Sequence, residues 1–170
     1  MDGTMALFFA IAGLSETMDN HCPTGCFAYS EAPARISASV GRSQFNRDWL
    51  GSEVMVAYDL PRRYGILQPT ISASYSEQGE VWLGGGAKWR IEDPGSPFFV
   101  QSAFQIGYHD IADGPDIGGN FHFRSDFGVG YDFGNGSALV VAYDHRSNGG
   151  IAEPNPGLET LLIQYSMTFD

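Results

Sequence analysis

The sequence predicts an all-β fold, a closed antiparallel barrel of eight strands that crosses a membrane. Three observations lead there. From Ala34 onward the chain divides into segments of about ten residues in which apolar side chains alternate with small or polar ones, the period of two that marks a strand. The composition, with 22 Gly, 14% aromatic and only 17% charged residues, suits short strands and turns better than helices. No stretch approaches the ~20 apolar residues that a membrane-spanning helix needs, so any crossing falls to strands, whose backbone groups a closed barrel satisfies.

The first three segments centre on Ile36 to Val40, Val54 to Leu60 and Leu67 to Tyr75. The fourth, EVWLGGGAKWRI, sets Val81, Leu83, Ala87, Trp89 and Ile91 against Lys88 and Arg90. Its triple glycine, Gly84 to Gly86, reads as a strand bend or a close approach, because no helix or Lys-Ser/Thr follows to make a phosphate loop. The fifth, SPFFVQSAFQIGYH, opposes Phe98, Val100, Phe104, Ile106 and Tyr108 to Gln101, Gln105 and His109. In the sixth, FHFRSDFGVGYDF, Phe121, Phe123, Phe127, Val129, Tyr131 and Phe133 share one face, and His122, Arg124, Asp126, Gly128, Gly130 and Asp132 the other. The last two run from Ala138 to Ser147 and from Leu158 to Phe169. The polar face carries both signs of charge with many Gly and Ser, which suits a narrow lumen filled by small and paired polar groups; the bulky aromatic face suits lipid. Arg124, Asp126, Asp144 and Arg146 then read as a structural charge network inside the barrel.

The connections agree. Those after the second, fourth and sixth strands (LPRRYG, EDPGSP, GNGS) are short, and those after the fifth and seventh (DIADGPDIGGN, NGGIAEPNPG) are long, the asymmetry of barrels in the outer membrane of Gram-negative type. Tyr58, Tyr131, Phe133 and Phe169 toward the short-turn rim, and Tyr75, Tyr108, Phe121 and Tyr143 toward the other, would form two aromatic girdles. Tyr165, Met167 and Phe169 give the terminal alternation of such barrels, with Asp170 after the last aromatic as a departure.

One domain of this length leaves residues 1–33 as a leader or N-terminal segment and 34–170 as the barrel. The run MALFFAIAG, with Ala10-Ile11-Ala12 as an A-x-A-like site but no basic residue before it, reads as a truncated signal peptide or an unstructured leader. Cys22 and Cys26 suggest a local disulfide or two idle thiols; with His21 they supply too few ligands for zinc, and no metal is expected. A formal charge of −11, from 20 acidic and 9 basic residues of which Lys88 is the single lysine, argues against a nucleic-acid partner.

The chemistry concentrates in YDHRSNGG. Continuing the outward parity of Leu139, Val141 and Tyr143 puts His145 and Ser147 on the lipid-side face, where residues two apart lie ~6.5–7 Å from each other at Cα. The plain reading is that the strand has left the hydrocarbon and both side chains sit among headgroups. If the last two strands form a hairpin pairing Leu139 with Tyr165, Val141 with Ile163 and Tyr143 with Leu161, Glu159 falls opposite His145. Nucleophile, base and carboxylate then share one patch.

These residues resemble a family. HRSNGG followed by PNPGLE is similar to the lipid A 3-O-deacylase (PagL-type) family of eight-stranded outer-membrane barrels, across Ala34 to Phe169 and most specifically in the final hairpin. The resemblance implies hydrolysis of the 3-O-linked acyl chain of lipid A (lipopolysaccharide) without a cofactor, with Ser147 as nucleophile, His145 as general acid/base and Glu159 orienting it. It further implies that Asn148 and the Gly150 N–H stabilise the oxyanion and that Asn155 shapes the loop. Asn148 has inward parity, so its role would need a bend at Gly149-Gly150. The partners expected are outer-leaflet lipid A and membrane lipid, and a homo-oligomer is compatible with them.

Three other readings stand beside it. An outer-membrane phospholipase A also carries His-x-Ser-Asn-Gly, but with twelve strands and Asn in place of Glu159. A non-catalytic eight-stranded barrel that braces the membrane or binds surface partners explains the alternation but not the shared parity of His145, Ser147 and Glu159. A soluble ligand-binding barrel would have the opposite face inside.

Overall fold

The computed structural model describes residue 11 and residues 13–169. Of the apolar run read as a leader only Ile11 and Gly13 fall within them, and Asp170 also lies outside the described residues. Two short helical turns, Thr17–His21 and Cys22–Thr24, precede the strands, and Cys22 is disulfide-bonded to Cys26. Strand β1 (Tyr29–Glu31) follows, then β2 (Ala34–Phe45), β3 (Asp48–Asp59), β4 (Arg62–Tyr64), β5 (Gln68–Ser76), β6 (Val81–Glu92), β7 (Phe98–Asp110), β8 (Phe121–Asp132), β9 (Ser137–Ser147) and β10 (Leu158–Phe169).

Eight of these form a closed barrel in the order β10-β2-β3-β5-β6-β7-β8-β9, every neighbouring pair antiparallel. The barrel strands run from 9 to 13 residues, enough for the ~9–11 tilted residues that cross a bilayer. Among the described residues no helix is long and apolar enough to do so.

The alternation read from the sequence is realised strand by strand. Val56, Leu83, Val129, Val141 and Ile163 lie exposed on the outer wall, while Ser37, Ser72, Gln105, His122 and Gln164 are buried inside. Leaving five such aliphatic side chains exposed to water would cost ~1.5–3 kcal/mol each, and lipid removes that cost. The aromatics meet at the short-turn rim, where Tyr58 stacks on Phe169 and Tyr131 packs edge-on to both Phe98 and Phe133. Trp82, fully buried, lies across Gly84 and Gly107 and donates its indole N–H to Ser72 Oγ at 3.0 Å, so one glycine of β6 and one of β7 make room for a large ring in a narrow lumen.

The lumen is held by ion pairs. Glu53 is its hub: its carboxylate accepts from Arg124 Nη1 at 2.9 Å, from Arg146 Nη2 at 2.8 and 3.1 Å, and from Thr160 Oγ1 at 3.2 Å. Arg124 also donates to Asp144 at 2.6 Å. Lys88 pairs with Asp59 at 2.9 Å and Arg90 with Asp132 at 2.8 Å toward the short-turn rim. A small apolar cluster of Met55, Phe99, Ala138, Val140, Ala142 and Leu162 fills the rest of one side.

One connection differs from expectation. LPRRYG is not a bare turn, because Arg62–Tyr64 forms β4 and pairs with β1 in a separate two-stranded sheet. Arg63 Nε donates to Ser30 Oγ at 3.0 Å and the rings of Tyr29 and Tyr64 meet edge to face, so a segment before the barrel recruits the loop into extended pairing.

Candidate active site

His145 and Ser147 close β9, and Glu159 stands one residue into β10, so all three lie where the last hairpin reaches the long-loop rim. The register pairs Leu139 with Tyr165, Val141 with Ile163, Tyr143 with Leu161 and His145 with Glu159. Ser147 lies across from Phe123 of β8 on the same face. Since directly opposed residues bring Cβ atoms to ~4.5–5.5 Å, the imidazole and carboxylate meet. His145 Nδ1 is 3.4 Å from Glu159 Oε1, an ion-pair distance, with the side chains 29% and 15% exposed. The patch opens on the outer wall, with the aromatic group of Phe104, Phe121 and Phe123 on one flank and Tyr143 and Leu161 below.

A residue that the sequence reading did not single out leaves the room that the imidazole occupies. Gly157 has φ +78°, a left-handed conformation that costs a side chain ~1–2 kcal/mol. A methyl group there would come within 2.8 Å of His145 Cε1. The expected result for Gly157→Ala is therefore a displaced imidazole in an intact barrel: activity on an ester substrate falls by one to two orders of magnitude, roughly what a 1 Å misplacement costs, while heat-modifiable gel mobility stays that of the parent.

Asn148 and Asn155 act on the loop. The Asn148 side chain is buried, and its Nδ2 lies in donor range of the carbonyls of Ile117 (3.0 Å), Gly118 (3.1 Å), Ala152 (2.8 Å) and Pro154 (3.0 Å). It ties the β7–β8 loop to the β9–β10 loop from within, as its inward parity requires. Its backbone N–H donates to Asn155 Oδ1 at 3.1 Å, and the Gly150 N–H donates to Asn148 Oδ1 at 2.8 Å. In this structure the Asn148 carboxamide and the Gly150 N–H are both engaged inside the loop. Gly150 nonetheless has φ +80° with open space where a Cβ would be.

The inner face of the same hairpin is anchored in the lumen. Arg146 sits between His145 and Ser147 in sequence, Thr160 follows Glu159, and both hydrogen-bond to Glu53. Glu53 was also missed in the sequence, although an acidic residue of inward parity in a chain with arginines on two inward-facing strands is a readable signal.

The model of the lipid A 3-O-deacylase (PagL) family matches residues 40–168. Two curated relatives bear the name lipid A deacylase PagL. That of Bordetella bronchiseptica is 28% identical over 111 residues, 61% of this chain and 62% of the relative. That of Pseudomonas aeruginosa is 33% identical over 52 residues, 31% of this chain and 30% of the relative. The matched stretch is thus less than two thirds of either relative's length. Among solved structures, the outer membrane enzyme PagL superposes with a TM-score of 0.66 at 21% identity, covering 79% of this chain and 99% of that one. Neisserial surface protein A gives 0.57 at 12% identity, covering 84% and 99%. At these identities the two structures establish the fold, and with most of the barrel matched by the family model, the chain belongs to the lipid A 3-O-deacylase (PagL) family.

Proposed function

We propose that this protein is an outer-membrane esterase that removes the 3-O-linked acyl chain of lipid A, with Ser147, His145 and Glu159 as its triad. The observation that carries the reading is the 3.4 Å approach of His145 Nδ1 to Glu159 on the outer wall of the barrel, on the face that Ser147 shares. With Nδ1 the ring nitrogen that lies 3.4 Å from the Glu159 carboxylate, Nε2 is left to take the Ser147 proton. The serine oxygen attacks the ester carbonyl and His145 accepts its proton. The tetrahedral adduct then expels the sugar alkoxide, which takes the proton back from the imidazolium. Water, activated by the same imidazole, cleaves the acyl-enzyme and releases a fatty acid. Glu159 steadies the imidazolium in both halves.

Oxyanion stabilisation in this reading comes from the Gly150 N–H, released from Asn148 Oδ1 when substrate enters, with Asn148 and Asn155 as positioning residues. Placement on the outer wall suits the substrate, since the ester lies just below the headgroups, where β9 leaves the hydrocarbon. No residue of the lumen can reach it. The test is purified protein in detergent with lipid A that carries a 3-O-linked chain. The expected product is one fatty acid and one deacylated lipid A per turnover, and intact substrate after prolonged incubation would refute the activity. A non-catalytic barrel has no structural feature in its favour that the esterase lacks.

A further inference from the structure

The long-loop half of the barrel's outer surface is poor in cations. Every lysine and arginine of the chain lies within the described residues, nine in all. Arg124 and Arg146 are buried in the lumen, and Lys88 and Arg90 pair inside toward the short-turn rim. Arg35 faces Ser166 from the start of β2, and Arg62 and Arg63 belong to β4 at that same rim. Two remain, Arg42 and Arg47, and both are exposed on the β2–β3 hairpin beside the candidate active site.

Both arginines are held against their local preference. Arg42 has outward parity and stands opposite Leu161, a level where lipid contacts the wall. Its guanidinium lies 5.2 Å from the centre of the Trp49 ring, and Trp49 pairs with Gln44, so the charge is lifted one step toward the loop rim and fixed there by a cation–π contact. Asn46 (φ +49°) and Arg47 (φ +76°) form the two-residue turn, both left-handed. A type I′ turn of this kind favours glycine at the second position, so an arginine there adds strain that a glycine would remove. Between them Gln44 stands directly opposite Glu159 and donates to the Arg47 carbonyl at 3.3 Å. Strand β2 is two strands from His145, or ~10 Å, a gap that one phosphorylated sugar and an arginine side chain span together.

We propose that Arg42 and Arg47 form the seat for a phosphate monoester on the sugar headgroup of the substrate, orienting it so that its acyl ester falls at Ser147. This inference rests on the deacylase reading for the identity of the substrate. The seat itself is tested by binding, which does not require turnover. A strongly acidic protein must hold a polyanionic lipid, and these two guanidinium groups are the cations it offers at that surface. Arginine matches phosphate oxygens with paired N–H donors, which a point charge does not.

The experiment measures equilibrium binding of fluorescent lipid A, phosphorylated or stripped of its phosphates, to full-length Ser147→Ala protein in nonionic micelles, with and without a second substitution. Arg42→Gln is expected to weaken binding of the phosphorylated lipid roughly ten- to a hundredfold, the loss of one charge-assisted contact, and to leave the stripped lipid unchanged; Arg42→Lys should recover part of it. Arg47→Gly is expected to weaken the same binding while raising resistance to unfolding, an opposition that a structural role for the side chain would not produce. Equal weakening for both lipids, no weakening for either, or displacement of lipid A by equimolar phosphatidylglycerol would overturn the proposal. Should Arg42→Gln fail to fold, Arg47→Gly in its exposed turn decides the matter alone. Wild-type protein that binds with this phosphate dependence but cleaves nothing would refute the deacylase reading and leave the seat standing.

Discussion

Ser147→Ala and His145→Ala are each expected to lower turnover of the 3-O-linked ester by ~10⁶-fold, and Glu159→Ala by ~10⁴-fold. The ranking follows from what each group does. Without the serine oxygen no acyl-enzyme forms, and without the imidazole neither the attack nor the departure of the sugar oxygen has a proton carrier. The carboxylate only orients and charge-stabilises the ring, so its removal leaves a weakened dyad with measurable turnover. None of the three contributes to the lumenal packing, because all face outward from a barrel whose apolar cluster and ion pairs lie on the other side of the wall. Each variant should therefore keep the heat-resistant compact form on a gel. Asp126→Asn, inside the lumen, serves as the control and should retain activity. The measurement is single-turnover release of fatty acid by purified variants. Equal losses for all three would contradict an orienting role for Glu159.

Glu53→Ala is expected to be the most damaging single change to stability, by about 3–5 kcal/mol. It would leave Arg146 without the carboxylate that takes its Nη2 protons at 2.8 and 3.1 Å, and Arg124 with Asp144 as its remaining acid. Two guanidinium groups in a narrow lumen would then repel each other across a space that Glu53 now fills. The effect should reach the outer wall, since Arg146 and Thr160 hang from Glu53 and neighbour His145, Ser147 and Glu159 in sequence. Urea unfolding in detergent reads the first part. The second predicts lower activity even under conditions in which the variant is fully folded. A variant as stable as the parent would mean that water reaches the pair and screens it.

The strands and their inward and outward faces were legible because the pleat forces a period of two, and a polar lumen against a lipid-facing wall makes that period visible in residues such as Phe121, His122, Phe123 and Arg124. The same parity fixed the hairpin register, in which a slip of one residue would have turned Val141 and Ile163 into the lumen. Strand ends were harder. The segments centred on Ile36–Val40 and Val54–Leu60 reach further toward the long-loop rim, to Phe45 and from Asp48, and the second ends at Asp59, one residue before Leu60; the outer turns carry Arg42, Gln44, Asp48 and Trp49, which break the apolar alternation. The β1–β4 pairing was invisible, since three residues on each side carry no periodic signal and their partner lies in a remote segment. At the site, the positions of His145, Ser147 and Glu159 followed from parity. The inward placement of Asn148 Nδ2 among four carbonyls and the space at Gly157 beside the imidazole depend on loop conformations for which the sequence offers glycines and little else.

Mass spectrometry of lipid A from Gram-negative cells whose lipid A carries a 3-O-linked chain, with and without this protein in the outer membrane, tests the central claim most directly. Loss of that one acyl chain on expression of the intact protein, and its retention on expression of Ser147→Ala at the same level, is the predicted result. An unchanged acyl count with folded wild-type barrel present would contradict it.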